Sequence, residues 1–165
     1  MTALMNTNFS NTKNLLSIFL LTTVFISCSK DDVATLDKGN FLVFGHFYGQ
    51  CFGEGCVETF KLTSNKLYED TIDDYSGSEF NFIELDNGAF EQVKDLIDYF
   101  PNRLLDANES VFGCPDCADG GGLFIQYSNN GHIKSWRINQ FKSNVPTYLH
   151  NFINKVNEKI SLIDN

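Results

Sequence analysis

The chain has 165 residues and a formal net charge of −9 at pH 7. That length is enough for one domain with its own hydrophobic core and short for two domains. Because an acidic domain repels the phosphates of nucleic acid, the charge argues against nucleic-acid binding and favours solubility at a cell surface.

The first 27 residues are predicted to be a lipoprotein signal peptide. One cation, Lys13, precedes an apolar run over residues 15–26, which is too short to cross a bilayer comfortably and has the length of a signal-peptide core. The small residue directly before Cys28 resembles a bacterial lipobox, in which the peptidase cuts before the cysteine and that cysteine becomes lipidated. We therefore expect Cys28 to carry the lipid, palmitate among its acyl chains, and residues 28–39 to tether the domain to the membrane. The alternative is an ordinary secretory signal in which this cysteine has no role.

Two short patterns indicate where the mature chain is located. Ser29-Lys30-Asp31-Asp32 resembles the short signal that sends some Bacteroidota lipoproteins to the outside of the outer membrane. We expect an outer-membrane lipoprotein, on the periplasmic face or, as this signal favours, on the cell surface. Asp70-Thr71-Ile72 fits the Asp-Ser/Thr-apolar pattern of O-glycosylation in that phylum, so Thr71 is a candidate glycosylation site.

The first half of the domain is predicted to consist of strands over residues 40–48, 57–62, 67–68 and 80–85. The first of these is apolar on both faces, which is typical of a central strand, and Gly45 favours a close contact or a bulge there. Residues 69–78 carry four carboxylates, but these lack the spacing of an EF-hand calcium loop. We predict a solvated loop rather than a calcium site.

Two amphipathic helices are predicted. In the first, Asp86 supplies a capping group, Pro101 ends the helix near Tyr99, and the apolar face consists of Phe90, Val93, Ile97, Phe100 and Leu104. In the second, Pro146 stands in the first turn, and the buried stripe consists of Leu149, Phe152, Val156, Ile160 and Ile163. The side chains of this helix predicted to face water are Lys155, Asn157, Glu158 and Lys159.

A β-hairpin is predicted between these helices. Asn129-Asn130-Gly131 separates strand-like runs over residues 123–128 and 133–139, and Asn-Gly tolerates the positive φ angles of a tight turn. The order of strands, helix, hairpin and helix predicts a single α+β domain over residues 40–165, in which an antiparallel sheet is packed by two helices.

Four cysteines remain if Cys28 is lipidated. They lie in two glycine-rich loops, Cys51 and Cys56 in residues 49–56 and Cys114 and Cys117 in residues 113–122. An even number of thiols in an oxidising compartment predicts two disulfides that cross-link the domain at these loops. Three connectivities stay open. Local pairs close each loop, whereas crossed pairs join the two halves and close a much longer loop, which in the chain-entropy model stabilises more, by roughly 3–5 kcal/mol.

Two alternatives use the same cysteines. The Cys114-Pro115-Asp116-Cys117 spacing is that of a zinc knuckle, so the four cysteines could form a structural zinc site, or the chain could be a metal-handling lipoprotein. Against zinc, the other pair is spaced by four residues, and exported thiols tend to oxidise. A thiol-redox protein using Cys114 and Cys117 needs a low-pKa cysteine at a helix N-terminus, and residues 118–122 are a poor helix start.

The sequence proposes no catalytic group of residues. His46, His132 and His150 are scattered and are predicted to be structural or surface side chains, and Trp136 is predicted to pack in the core. Serine-hydrolase and metalloprotease motifs are absent from the sequence. We therefore predict no catalytic residue and no cofactor. The expected function is a non-catalytic module, inhibitor-like in one version, that binds an envelope protein or a small ligand.

Several segments carry a family resemblance: Phe-Gly-x-x-Tyr-Gly-x-Cys at residues 44–51, Cys-Val-Glu-Thr-Phe-Lys-Leu at 56–62, Leu67-Tyr68-Glu69-Asp70, Cys-Pro-Asp-Cys-Ala-Asp-Gly-Gly at 114–121, and Trp136-Arg137-Ile138. Together they resemble a family of small, uncharacterised Bacteroidota lipoproteins over roughly residues 40–163. The resemblance implies the membrane address and a single domain, and it implies no activity.

Overall fold

The computed structural model describes residues 34–163, which form one seven-stranded sheet with helices packed on one face. The predicted signal peptide, Cys28 and the predicted surface signal at Ser29-Lys30-Asp31-Asp32 lie outside the described residues. The strands are β1 (Phe41–Phe47), β2 (Val57–Leu62), β3 (Leu67–Asp70), β4 (Phe82–Glu84), β5 (Val111–Phe112), β6 (Gly122–Asn129) and β7 (His132–Asn139).

The sheet is almost wholly antiparallel, as predicted. Its order is β4-β3-β2-β1-β6-β7-β5, and within residues 34–163 the short pair of β5 with β7 is parallel while the other neighbours are antiparallel. β1 is the central strand, because the predicted apolar character of both its faces lets it pack on either side. The sequence did not predict β5, since two residues are too few to show a period.

The main core lies between one sheet face and the helices. The helices are α1 (Asn87–Val93), which continues as a 3₁₀ turn over Lys94–Tyr99, and α2 (His150–Ile163). Alternate residues of the central strands contribute to this core, as the period of two requires: Leu42, Phe44, Phe60, Leu62, Leu123, Ile125 and Tyr127. Trp136 is buried here and packs 6.1 Å from the Phe100 ring, which confirms its predicted structural role. The α+β single-domain prediction is confirmed.

The middle helix differs from its predicted period. The Asp86 carboxylate caps α1 by accepting a hydrogen bond of 2.9 Å from the Ala89 amide, and the helical segment ends before Pro101, as predicted. From Lys94 onward the turn tightens to 3₁₀ geometry, which moves the buried face by about one residue. Leu96 is therefore fully buried, whereas Ile97 is only half-buried.

The α2 helix and the 3₁₀ turn before it bury the predicted stripe except Ile163, which is only half-buried. The helix also buries one residue that was predicted to face water. Lys159 is 7% exposed, and its Nζ lies 2.7 Å from both the Gln92 carbonyl and the Asp95 carboxylate. The water-facing prediction for Lys159 was wrong, because α1 offers this ammonium a carbonyl and the 3₁₀ turn after it offers a carboxylate, which helical spacing does not reveal.

The remaining sheet face has a smaller apolar cluster made of Val43, Phe47, Val57 and Phe124. The segment over residues 71–81, here called the acidic loop, covers part of it, since the Phe80 ring stacks 5.1 Å from Phe82 and lies 5.9 Å from Phe124. Within residues 34–163, no helix combines the length and the apolarity needed to cross a membrane.

Two local features of the strands depend on particular residues. Asn130 and Gly131 have φ angles of 50° and 82°, the left-handed values that a tight hairpin turn needs, so the predicted hairpin is confirmed. At Gly45 any Cβ atom would lie 2.9 Å from the Thr59 Cα, so the predicted close contact between β1 and β2 is also confirmed.

Candidate functional site

The two cysteine-containing loops meet at one end of the sheet. The first cysteine loop (residues 49–56) follows β1, and the second cysteine loop (residues 113–122) leads into β6. Because β1 and β6 are antiparallel neighbours, with Phe47 opposite Gly122, the end of one strand and the start of the other are adjacent. The sheet register therefore brings together two loops that are about sixty residues apart in sequence.

The disulfides are local. Cys51 pairs with Cys56 and Cys114 pairs with Cys117, each with a Cα–Cα distance of 5.5 Å. Two disulfides at the glycine-rich loops were predicted, and the structure selects the local pairing from the three open connectivities. Each disulfide closes one loop, and neither joins the two halves of the domain.

The Asp116 carboxylate connects the two loops instead. Its Oδ2 accepts hydrogen bonds from the Gly49 amide at 2.9 Å and from the Tyr75 hydroxyl at 2.8 Å. Its Oδ1 accepts a third, of 3.1 Å, from the Gly121 amide, and the Asp116 amide donates to the Gly121 carbonyl at 2.8 Å. One carboxylate therefore holds the first loop, the second loop and the acidic loop together.

Tyr75 and Arg137 extend this junction onto the open sheet face. The Arg137 guanidinium lies 3.7 Å from the centre of the Phe47 ring and 4.9 Å from that of Tyr75, and its Nη1 donates to the Tyr75 carbonyl at 2.9 Å. The Tyr75 ring meets Phe47 edge-on at 5.2 Å. Burial among these groups, and then the hydrogen bond to Asp116, raise the pKa of the Tyr75 hydroxyl above its usual value.

The backbone of the second cysteine loop is strained. Asp116, Ala118 and Asp119 have φ angles of 63°, 53° and 57°, in the left-handed region that residues with a Cβ adopt at a cost of about 1–2 kcal/mol each. Such clusters persist where surrounding contacts fix the backbone, which the local disulfide and the Asp116 hydrogen bonds do here.

The acidic loop is largely exposed, in agreement with the predicted solvated loop, and hydrogen bonds to nearby carboxylates also order it. Asp74 accepts hydrogen bonds from the Ser76 hydroxyl and from the backbone amides of Ser76, Ser78 and Glu79, and these hold the pKa of its carboxyl far below the usual range. Buried Asp70 accepts from the Asn81 amide at 2.6 Å. Thr71, the candidate glycosylation site, is exposed and shares hydrogen bonds with Asn81.

The junction lines an open depression of about 590 Å³ between the loops, bordered by Tyr48, Gln50, Val57, Tyr75, Asp116 and Asp119. Beside it, Phe52 stands at the tip of the first cysteine loop with its ring fully exposed. A fully exposed phenylalanine on a disulfide-closed loop is unusual, because burying such a ring elsewhere would contribute about 2 kcal/mol or more.

The histidines are not brought together. His46 Nε2 lies 3.2 Å from the Gly55 carbonyl, His150 Nε2 lies 3.2 Å from the Val145 carbonyl, and His132 is exposed at the hairpin. These positions agree with the predicted structural and surface roles.

The zinc and thiol-redox alternatives were based on Cys51, Cys56, Cys114 and Cys117, and all four are disulfide-bonded in this structure. A disulfide-bonded sulfur is not the thiolate that a zinc site needs. Over the part of the chain that the structure describes, no group of three or more His, Cys, Asp or Glu side chains is arranged to hold a metal ion. No α-helix begins at Cys117, which opens a short 3₁₀ turn instead.

Sequence reasoning missed the residues that organise the site: Asp116, Tyr75 and Arg137. A partial signal was present, since Asp116 stands between two paired cysteines and Tyr75 is an aromatic residue flanked by the polar residues Asp74 and Ser76. No family model matches the chain, and no curated protein matches its sequence.

Proposed function

We propose that the chain is a lipid-anchored cell-envelope protein whose domain is a non-catalytic binding module. The lipobox-like residues before Cys28 support the anchor, and Cys28 is the proposed lipidation site. The Ser29-Lys30-Asp31-Asp32 signal supports a location on the surface of the outer membrane.

The observation that carries the binding function is the joined pair of loops. Two disulfide-closed loops are set side by side by Asp116, and one of them presents Phe52 fully exposed. Because the loops are already ordered, a partner that receives Phe52 does not have to overcome the entropy of ordering them. Exposed aromatic residues on rigid elements are typical anchors of protein interfaces.

The partner proposed for this surface is an envelope protein with an apolar pocket that receives the Phe52 ring. Asp116 and Asp119 border the depression beside the loop, so the rim of the partner's pocket is expected to be cationic. An inhibitor that fills the specificity pocket of a protease is one version of this arrangement.

The binding function is tested by placing a photo-crosslinking amino acid at position 52 of the full chain in its native envelope. A matched probe at position 133 replaces Ile133, another exposed apolar residue on a different element. We expect one discrete cross-linked protein from position 52 and none of it from position 133. The purified partner should then bind Phe52→Ala at least about 30-fold more weakly than the wild type and bind Ile133→Ala within about twofold. Equal cross-linking from both positions would reject this loop as the binding surface.

The anchor is tested separately. Cys28→Ala should leave the signal peptide uncut and abolish labelling of the chain by radioactive palmitate. Labelling that survives this substitution would reject Cys28 as the lipidated residue and leave the loop experiment unaffected.

A further inference from the structure

A second depression lies at the opposite end of β1 from the cysteine loops. Its volume is about 640 Å³, and it is bordered by the residues that begin β1 and by the turn between β2 and β3. We call it the lysine depression and define it by Lys38, Phe41, Lys61, Ser64, Asn65 and Tyr68. It shares no residue with the cysteine-loop site, so a ligand bound there is independent of the proposed function.

The lysine depression is cationic on an acidic protein. Within residues 34–163 neither Lys38 nor Lys61 forms an ion pair, and no carboxylate is among the residues that line the depression. The nearby carboxylates are engaged elsewhere: Asp37 accepts a hydrogen bond of 2.9 Å from the Thr35 hydroxyl, and Glu84 pairs with Lys66 at 2.5 Å. Two ammonium groups without carboxylate partners on a chain of net charge −9 indicate an anionic ligand.

The Lys61 ammonium is held in place by aromatic rings. Its Nζ lies 4.6 Å from the centre of the Phe41 ring and 5.4 Å from that of Phe82. In the sheet register Lys61 stands directly opposite Tyr68, so the two side chains project from the same face of the sheet. A charge fixed by its neighbours loses little side-chain entropy when it binds an anion.

The rest of the lining offers a ring and neutral hydrogen-bonding groups. Among the described residues, the Tyr68 and Ser64 hydroxyls form no hydrogen bond, and the Asn65 amide nitrogen forms none, although its Oδ1 accepts one from Thr63. Tyr68 is half-buried, so part of its ring is accessible from the depression. These groups suit a ligand that has hydroxyl groups and a ring with an apolar C–H face.

The geometry points to a binding site for carboxylate-bearing saccharides in the lysine depression. The sugar carboxylate pairs with Lys61 and Lys38, and the ring packs on Tyr68. The hydroxyls of the sugar exchange hydrogen bonds with Ser64 and Asn65. A ligand with charge alone would leave the Tyr68 ring and the neutral groups unused, and a neutral sugar would leave two ammonium groups unpaired.

The test is a calorimetric titration of the full chain, purified from the envelope in neutral detergent, with three polymers. Polygalacturonate has both sugar rings and carboxylates, dextran has rings without charge, and polyglutamate has carboxylates without rings. We expect polygalacturonate to bind at least about tenfold more tightly than either of the others, and its binding to weaken as salt is raised. Equal binding of polyglutamate, or no binding of polygalacturonate, would overturn the proposal.

Substitutions locate the binding. Lys61→Gln should weaken polygalacturonate binding about tenfold, and Lys61→Arg should retain most of it. Lys38→Gln tests the same site without touching the contact between Lys61 and Phe41, because Lys38 is exposed and has no packing role. It should weaken polygalacturonate binding severalfold. Lys142→Gln is the matched control, because Lys142 is exposed, lies outside the depression and, in the described chain, forms no ion pair. If Lys142→Gln weakened polygalacturonate binding as much as Lys38→Gln, the polymer would be responding only to the overall charge of the protein. That result would also overturn the proposal.

Discussion

The Asp116 carboxylate accepts a hydrogen bond of 2.8 Å from the Tyr75 hydroxyl, across 41 positions of sequence. The same Oδ2 atom accepts from the Gly49 amide across 67 positions. A single side chain therefore joins three segments whose own local contacts would not bring them together.

Asp116→Asn is expected to lower the free energy of unfolding by about 1–2 kcal/mol. Donors approach both carboxylate oxygens, so either orientation of the new amide places its NH₂ group against a donor and loses at least one hydrogen bond. The matched control is Asp119→Asn, since Asp119 is exposed in the same loop and also has a left-handed backbone. Urea unfolding checks both, and equal losses would contradict the junction role of Asp116.

Tyr75 is expected to make stability depend on pH in the alkaline range. Because its pKa is raised in the folded state, the folded protein holds the phenolic proton more tightly than the unfolded chain. This stabilisation is complete below the ordinary tyrosine pKa of about 10 and is lost as pH rises through the higher folded value. Unfolding free energy measured from pH 8 upward should fall more steeply for the wild type than for Tyr75→Phe. If the two proteins gave parallel curves, Tyr75 would not be the group that causes the loss of stability at alkaline pH.

Much of the fold was predictable because its signals are local. The Asn130-Gly131 turn, the Asp86 cap and the alternation in β6 each depend on a few neighbouring residues, and each was predicted. The burial of Lys159 and the role of Asp116 were not predicted, because their partners are set by the packing of distant elements. A sequence shows that a residue is polar, whereas its partner depends on register and helix geometry.

Ala118→Gly is expected to stabilise the domain by about 1 kcal/mol. Ala118 has a φ of 53°, and glycine removes the steric cost of that conformation, partly offset by the greater freedom of glycine in the unfolded chain. The same substitution at Ala89, within α1, should destabilise by about 0.5–1 kcal/mol. Thermal unfolding of the two variants should therefore shift in opposite directions, and a lowered midpoint for Ala118→Gly would contradict the strain.

The local disulfide pairing makes a direct mass prediction. Trypsin cuts after Lys38 and Lys61 and after Arg103 and Lys134, so each cysteine pair stays within one peptide. Without reductant, the peptides over residues 39–61 and 104–134 should each be lighter than their reduced forms by two hydrogens. A species that joins these two peptides would show crossed pairing and contradict the structure.

Lys159→Met is expected to destabilise by about 1–3 kcal/mol, because it removes the ammonium that contacts the Gln92 carbonyl and Asp95 while keeping the apolar stem. Lys94→Met is the control, since Lys94 pairs with Glu91 with both side chains about half exposed, and should change stability by less than about 0.5 kcal/mol. Chemical denaturation compares the two. Similar values would mean that the burial of Lys159 contributes nothing beyond a surface ion pair.

Because the cysteines pair locally, a reducing medium and a denaturant should affect the two loops in different ways. Each disulfide fixes the shape of its own loop, whereas the loops are held beside each other by the pairing of β1 with β6 and by the hydrogen bonds of Asp116. A reducing medium therefore softens each loop and leaves the loops side by side. A denaturant that competes for hydrogen bonds does the opposite, and parts the loops while both sulfur bonds remain whole.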